Sequence, residues 1–348
     1  MNDLFTQITG MEQAPPRERV LLLTNAFVLS QCVFTATELG IADLLDTGAQ
    51  SCDELAIQTQ THRDTLYRLL RLLADLGIFA ETEPGIFQNT PMSECLQDKT
   101  TPGVVRNFVL LRAKETLPWT NLSYSVRTGQ SAFEQMYGMS RYTYLRQNPK
   151  LNQLFNQAMG DLTTIHNSVV LAGYDFSSAQ SITDIGGGRG SLLAAILEKY
   201  PNMRGLLLEQ DGVIEEAQQF LQSKGVLARC QLVGGDFFHQ IPAGGDIYLL
   251  KHVLHNWDDS QALRILQACR QVMSGSETLL IIERVMPIDS SLRNKMLDLN
   301  MLVMLAAGKL RSEAEFKDIL RQADFRLQRV IATESELGII EAVPERKN

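Results

Sequence analysis

From Ser181 to about Val285 the chain alternates short apolar runs with helical stretches: SITDIGGG, SLLAAILEKY, GLLLEQ, VIEEAQQFLQSKG, CQLVGGD, IYLLKHVLH, an amphipathic helix ending near Ser274, then TLLIIERV. This alternation is the tightest constraint in the sequence. Strands this short and apolar, each followed by a helix, bury both faces in a parallel sheet with helices on either side. The pattern therefore predicts a doubly wound α/β domain. In such sheets ligands gather outside the carboxyl ends of the strands, so the residues that follow each apolar run are the first functional candidates.

The first of these is the turn in TDIGGGRGSLL, between a strand and a helix. Gly186, Gly188 and Gly190 permit a tight turn and close approach of backbone to a ligand. A dinucleotide turn, G-x-G-x-x-G, would require glycine at position 191, which is serine. The spacing is instead D-x-G-x-G-x-G from Asp184. A carboxylate there repels a pyrophosphate but accepts an amino group. Glu209, 19 residues after Gly190 at the end of GLLLEQ, can accept hydrogen bonds from both hydroxyls of a ribose. Asp236 and Phe237 follow the next strand, where the acid can accept from an adenine amino group and the ring can cover its face. Each has a plainer reading: a ligand-free turn, a solvated strand-end acid, a turn cap and a core aromatic. Their occurrence in order after successive strands is more specific than any one of them.

The segment DIYLLKHVLHNWDD delivers Lys251, His255, Asn256 and Trp257 to the same sheet edge. Histidine is the side chain best suited to take a proton near neutral pH, although it also serves beside helix starts as a cap. A base of this kind needs a partner to fix its tautomer. Glu283, at the end of TLLIIERV, should stand one strand over at the same edge.

The N-terminal part differs. Residues from about 17 to 45 read as one or two helices. Ser51 opens S-C-D-E, a capping-box pattern, and THRDTLYRLLRLLADLGIF carries Leu66, Leu69, Leu70, Leu73 and Leu76 on one stripe, with Gly77 as its stop. IFAETEPGIFQNT reads as a hairpin turning at Glu83-Pro84-Gly85. Together these make a winged-helix pattern, which serves either DNA binding or packing and dimerisation. The formal charge of −8 opposes a phosphate backbone. Residues from about 100 to 175 look helical, with a loop near RTGQSAFEQMYG. A length of 348 residues fits two domains, placed at 1–105 and 106–348.

Five scattered cysteines without a C-x-x-C pair suggest neither a disulfide framework nor a zinc site. The start, MNDLFTQITG, lacks the features of a signal peptide. The stretch Val20 to Phe34, broken by Thr24, Asn25, Ser30 and Gln31, reads as too short and polar to span a bilayer and as a helix packed against protein. A cytoplasmic protein with no membrane or nucleic-acid partner is expected.

In combination, DIGGGRG, the strand end at Glu209, GGDFF, LLKHVLHNW, IIERVMP, GKLRSEAEF and the winged-helix segment resemble the plant-type class I O-methyltransferase family, including its bacterial members in secondary metabolism. The resemblance covers nearly the whole chain. It implies a Rossmann-like methyltransferase domain behind a winged-helix dimerisation domain that builds a homodimer. It implies S-adenosyl-L-methionine held by Asp184, Gly186, Gly188, Glu209, Asp236, Phe237 and Lys251, and no metal. His255 would be the general base and Glu283 its partner, acting on a phenol or enol hydroxyl of a small, largely apolar acceptor. Trp119, Phe133, Phe155, Met159, Asn256, Asn300, Met301 and Met304 would line its pocket, each with the alternative of ordinary helix core. Two positions depart from the pattern. Leu310 stands in GKLRS where family members usually carry a second acid, leaving His255 a single carboxylate partner or marking different chemistry. Asn256 replaces the more usual aspartate. The alternatives are N- or C-methylation, a non-methylating hydroxylation, decarboxylation or rearrangement on the same fold, and a winged-helix transcriptional regulator.

Overall fold

The computed structural model describes residues 14–99, 105–286, 291–305 and 308–345; the expectation drawn from the first ten residues lies outside them. The chain divides into two compact units, Met1–Thr116 with Pro149–Leu162, and Leu117–Asn148 with Thr163–Asn348.

The first unit opens with α1 (Pro16–Glu38), α2 (Ile41–Leu44), α3 (Cys52–Thr59) and α4 (Arg63–Asp75). A three-stranded sheet, ordered β1-β3-β2, accompanies them, formed by β1 (Gln50–Ser51), β2 (Phe79–Glu83) and β3 (Ile86–Asn89). The capping box is present: the Ser51 N–H donates to the Glu54 carboxylate at 2.8 Å, and the Glu54 N–H donates to the Ser51 hydroxyl at 3.2 Å. On α4 the leucine stripe turns inward, with Leu66, Leu70 and Leu73 buried against Leu55, Phe79 and Phe87. Gly77, at φ 72°, reverses the chain after the helix, a conformation a side chain would strain. Two short helices follow, α5 (Pro91–Glu94) and α6 (Arg106–Lys114).

One expectation needs correction here. α1 is a continuous helix of 23 residues with a mean hydropathy of 1.6 in its most apolar window, so by length and composition it is long enough to cross a membrane. Only its C-terminal end packs within the unit, through Cys32, Val33 and Ala36. Val20, Leu21, Leu22, Leu23 and Phe27 are 44–66% exposed in the single chain.

The second unit begins with three short helices, α7 (Leu122–Thr128), α8 (Ala132–Tyr137) and α9 (Arg141–Gln147). The loop expected near RTGQSAFEQMYG is therefore mostly helix. Gly129 ends α7 in a left-handed turn, and the Ser131 hydroxyl accepts the Glu134 N–H to start α8. A long helix, α10 (Pro149–Gly173), runs through both units.

The seven-stranded sheet has the order β6-β5-β4-β7-β8-β10-β9, where β4 is Ser181–Ile185, β5 Arg204–Glu209, β6 Cys230–Gly234, β7 Ile247–Lys251, β8 Thr278–Arg284, β9 Phe325–Ala332 and β10 Leu337–Pro344. β4 to β8 are parallel, as their apolar runs predict, while β10 is antiparallel to both its neighbours. Helices α11 (Ser191–Lys199), α12 (Asp211–Ser223), α13 (Asp259–Val272), α14 (Leu292–Met304) and α15 (Glu313–Gln322) complete the unit. Separate apolar cores form, one with Leu250, Leu266 and Ile281, the other with Leu193, Leu207 and Leu249. Strand order reverses between β4 and β7, so a crevice opens outside their carboxyl ends. The glycine turn leaves β4 there, and Lys251 ends β7.

Candidate active site

The glycine turn closes directly over Asp184. A Cβ built on Gly187 would lie 2.2 Å from Asp184 Oδ2, so the backbone touches the carboxylate as only glycine allows. Gly186 and Gly188 adopt φ of 67° and 58°. Glu209 ties the turn to the end of β5: its carboxylate accepts the Gly188 N–H at 2.9 Å and the Gln210 N–H at 2.9 Å. The Phe237 ring packs beside Gly186, 3.5 Å from where a Cβ would be. Asp236 caps its own turn, accepting the Phe238 N–H and pairing with His239 at 2.9 Å.

Asp184 is the electrostatic anomaly of this edge. It is 1% exposed, and neither side-chain oxygen has a hydrogen-bond partner among the described residues. Burial pushes its carboxyl up to about 7, with Lys251 opposing and Glu209 adding to the rise. Burial likewise pulls the Lys251 ammonium down to about 8, against the pull of Asp184. A buried orphan acid beside a glycine cradle suits a ligand that brings an ammonium group, and the Glu209 carboxylate at the next strand end suits a hydroxylated ring. The residues present thus fit S-adenosylmethionine. Lys251 donates to Asn167 at 3.2 Å, and Asn167 donates to Ser191 at the start of α11 at 3.2 Å. Asn167, on α10, carried no motif signal.

His255 sits in a short 3-10 turn, Leu254–Asn256. Its Nδ1 lies 2.5 Å from Glu283 Oε2, and its backbone N–H donates to Glu283 Oε1 at 3.2 Å. Both carboxylate oxygens are thereby engaged, and the Glu283 side chain is 1% exposed. Burial alone would raise the Glu283 carboxyl, but His255 and His252 hold it well below the usual range. The adjacency expected of β7 and β8 is what aligns the pair: Lys251 and Ile282 are register partners, one residue short of Glu283.

The turn is clamped from behind. Arg311, 1% exposed, donates to the Leu254 carbonyl and the Trp257 carbonyl at 2.8 Å each, and to Asp259 at 2.9 Å. The Lys309 N–H donates to the His255 carbonyl at 3.0 Å. Nothing in the sequence pointed to Arg311, because its partners are mainly backbone carbonyls more than 50 residues away. Arg311→Met should lower stability by about 3 kcal/mol, since it strands two carbonyls and the guanidinium packing goes with it. Urea unfolding of the two proteins measures this. Leu310 is buried and its N–H donates to Asp298 at 2.8 Å, so an apolar side chain does stand where the second acid was expected.

His252 approaches the same oxygen: its Nδ1 lies 3.9 Å from Oε2, and its ring centroid lies 5.3 Å from that of His255. His252 has φ 56°, and its Nε2 is 3.3 Å from His166 Nδ1. Burial pulls both imidazoles down, to about 4 and about 3. Neither histidine was singled out from the sequence.

Of the acceptor-lining candidates, Trp119, Phe133, Met301 and Met304 come together in one apolar cluster with Tyr137 and Tyr144. Phe133, Met301 and Met304 are buried within it. Asn300 is buried on α14. Asn256 donates to the His252 carbonyl at 3.0 Å and accepts from the Tyr142 hydroxyl at 3.4 Å. Phe155 and Met159 fall in the part of α10 that belongs to the first unit.

Comparison with known proteins gives the family. The O-methyltransferase domain family matches residues 119–326, and the O-methyltransferase dimerisation domain family matches residues 21–99. The chain is 39% identical to the phenazine O-methyltransferase PhzM of Lysobacter antibioticus over 95% of its own length and 97% of that protein. It superimposes on the LaPhzM crystal structure with a TM-score of 0.88, covering 95% of this chain and 100% of the other. It is also similar to NcsB1 from neocarzinostatin biosynthesis, solved with S-adenosylmethionine and 2-hydroxy-5-methyl naphthoic acid, at 31% identity and a TM-score of 0.79 over 91% of this chain and 96% of the other. A nitrogen-methylating relative is similar too: phenazine-1-carboxylate N-methyltransferase of Pseudomonas aeruginosa, 34% identical over 90% of this chain and 93% of that protein. The chain therefore belongs to the plant-type O-methyltransferase family, and it is an S-adenosylmethionine-dependent methyltransferase with an N-terminal dimerisation domain.

Proposed function

We propose that the protein methylates a phenolic or enolic hydroxyl of a small, largely apolar secondary metabolite, with His255 as general base and Glu283 as its orienting partner. The observation that carries this is the 2.5 Å contact between His255 Nδ1 and a fully buried carboxylate. Glu283 holds the Nδ1 proton, which leaves Nε2 bare to take the acceptor's proton as its oxygen becomes nucleophilic. Asp184, Gly186, Gly188, Glu209, Asp236, Phe237 and Lys251 hold the cofactor, which supplies an electrophilic methyl on a sulfonium. Trp119, Phe133, Met301 and Met304 offer the aromatic and thioether surface that a flat ring favours, and Asn256 and Asn300 add polar groups to the same wall. The test is methyl transfer from radiolabelled S-adenosylmethionine to a panel of hydroxylated aromatics. Transfer to none of them would sink the reading.

A nitrogen acceptor is the second reading, favoured by the similarity to an N-methyltransferase. An amine already carries its lone pair, so its methylation would depend far less on His255.

The assignment of Asp184 to the cofactor's ammonium has a pH signature. With its carboxyl raised to about 7, Asp184 is neutral below that pH and must lose a proton to bind a cation. Affinity for S-adenosylhomocysteine should fall about tenfold between pH 8 and pH 6. Calorimetry at the two values, with Asp184→Asn flattening the difference, checks it.

The protein works as a homodimer in the cytoplasm, with the apolar face of α1 covered by a second copy rather than by lipid. The match of a dimerisation domain to residues 21–99 supports this. Light scattering should give about twice the 38.9 kDa chain mass. Phe27→Glu, harmless on a free surface, should instead split the assembly.

A further inference from the structure

We propose that His252, His255 and Glu283 form a site for a borderline divalent transition metal, typified by Zn²⁺, whose occupation arrests methyl transfer. One donor atom from each of these residues lies within 4.8 Å of the other two. Glu283 Oε2 faces both rings, 2.5 Å from His255 Nδ1 and 3.9 Å from His252 Nδ1. Ligands at tetrahedral Zn–N distances sit about 3.3 Å apart, so small side-chain rotations bring the three to coordinating distance. No backbone segment has to move.

The arrangement has further marks of a cation site. His252 is held at φ 56°, a conformation that costs energy and persists where the surroundings fix it. It aims Nδ1 at the carboxylate. The opposite nitrogen, Nε2, lies 3.3 Å from His166 Nδ1. Histidine ligands are usually oriented in this way, by a hydrogen bond from the nitrogen that does not bind the metal. Two imidazoles and one carboxylate favour zinc, copper, nickel or iron over magnesium or calcium. Three protein ligands also leave a coordination position open.

Inhibition follows from the tautomer. A cation on His255 Nδ1 takes the lone pair of the other neutral tautomer, so the ring's single proton moves from Nδ1, where it faced Glu283, to Nε2. That atom can then no longer accept a proton from a hydroxyl. The inhibitory half of the proposal rests on His255 as base; the cation site itself does not.

The test is a Zn²⁺ titration of chelator-stripped protein against a chromogenic chelator, alongside turnover assays. Wild type should take up one equivalent. His252→Asn is the main variant, because asparagine tolerates the left-handed backbone. It and Glu283→Gln should each bind at least about 100-fold more weakly, while His166→Ala, which removes only the outer hydrogen bond, should lose about tenfold. Unchanged S-adenosylhomocysteine binding by His252→Asn verifies its fold. Zn²⁺ should stop methylation by wild type, reversibly with EDTA, while His252→Asn should need correspondingly more Zn²⁺ to lose the same fraction of its own metal-free rate. Equal Zn²⁺ affinity in wild type and His252→Asn, or no uptake by wild type, overturns the site. Uptake that depends on His252 but leaves turnover intact would support the site and overturn His255 as the base.

Discussion

Replacing His255 by asparagine should lower kcat by roughly 10²–10⁴-fold, the usual contribution of a positioned base, without changing cofactor affinity. Asparagine fits the 3-10 turn and keeps the backbone N–H that reaches Glu283. What it lacks is a nitrogen able to accept a proton. Glu283→Gln should fall in the same range by a different route. The amide keeps shape and burial but can present a donor to Nδ1, favouring the tautomer that blocks Nε2. With both changes combined, the losses should not add, since either alone disables the same unit. Single-turnover methyl transfer together with calorimetry separates chemistry from binding. A His255→Asn protein that retains wild-type kcat on a hydroxyl acceptor would rule out the base.

Gly187→Ala should weaken S-adenosylhomocysteine binding by roughly 10- to 100-fold. Position 187 does not need glycine for its backbone angles; it needs glycine for space. The added methyl would lie 2.2 Å from Asp184 Oδ2 and 2.4 Å from its Cγ, so the buried carboxylate must shift. Overpacking of this kind costs about 1–3 kcal/mol, which becomes that range of affinity when the carboxylate it displaces is a ligand contact. Gly212→Ala is the control: it lies in α12 with nothing within 4 Å of the added atom. Equal affinity in Gly187→Ala and wild type would separate the turn from the cofactor.

The parts legible in the sequence were those with local periodicity. The five parallel strands announce themselves as apolar runs bounded by glycine and acids, and Glu209, His255 and Glu283 follow from their position at strand ends. The winged-helix elements were equally plain, since the Ser51 capping box and the α4 leucine stripe are short-range patterns. Other parts were hidden for identifiable reasons. Gly129 and Ser131 look like loop residues, yet one terminates a helix and the other caps the next. β9 is half exposed and follows no strict alternation, so the antiparallel end of the sheet gave no periodic signal. Arg311, Asn167 and His166 act through partners distant in sequence. Asp236 illustrates competition at short range: one of its oxygens also caps its own turn, as aspartates often do.

The antiparallel hairpin at the chain's end has a bearing on catalysis. Because β10 pairs with β8 along its outer side, with Gly338 opposite Glu283, the strand carrying the carboxylate is flanked on both sides. Amide hydrogens in such a strand exchange only with the large openings of the domain. His255 instead rides on a three-residue turn held from behind by the Arg311 guanidinium and the Lys309 N–H. The acid is thus fixed to a strand paired along both edges, and the imidazole to a turn outside the sheet. Any adjustment needed to meet acceptors of different thickness falls to the histidine, while its reference point stays still.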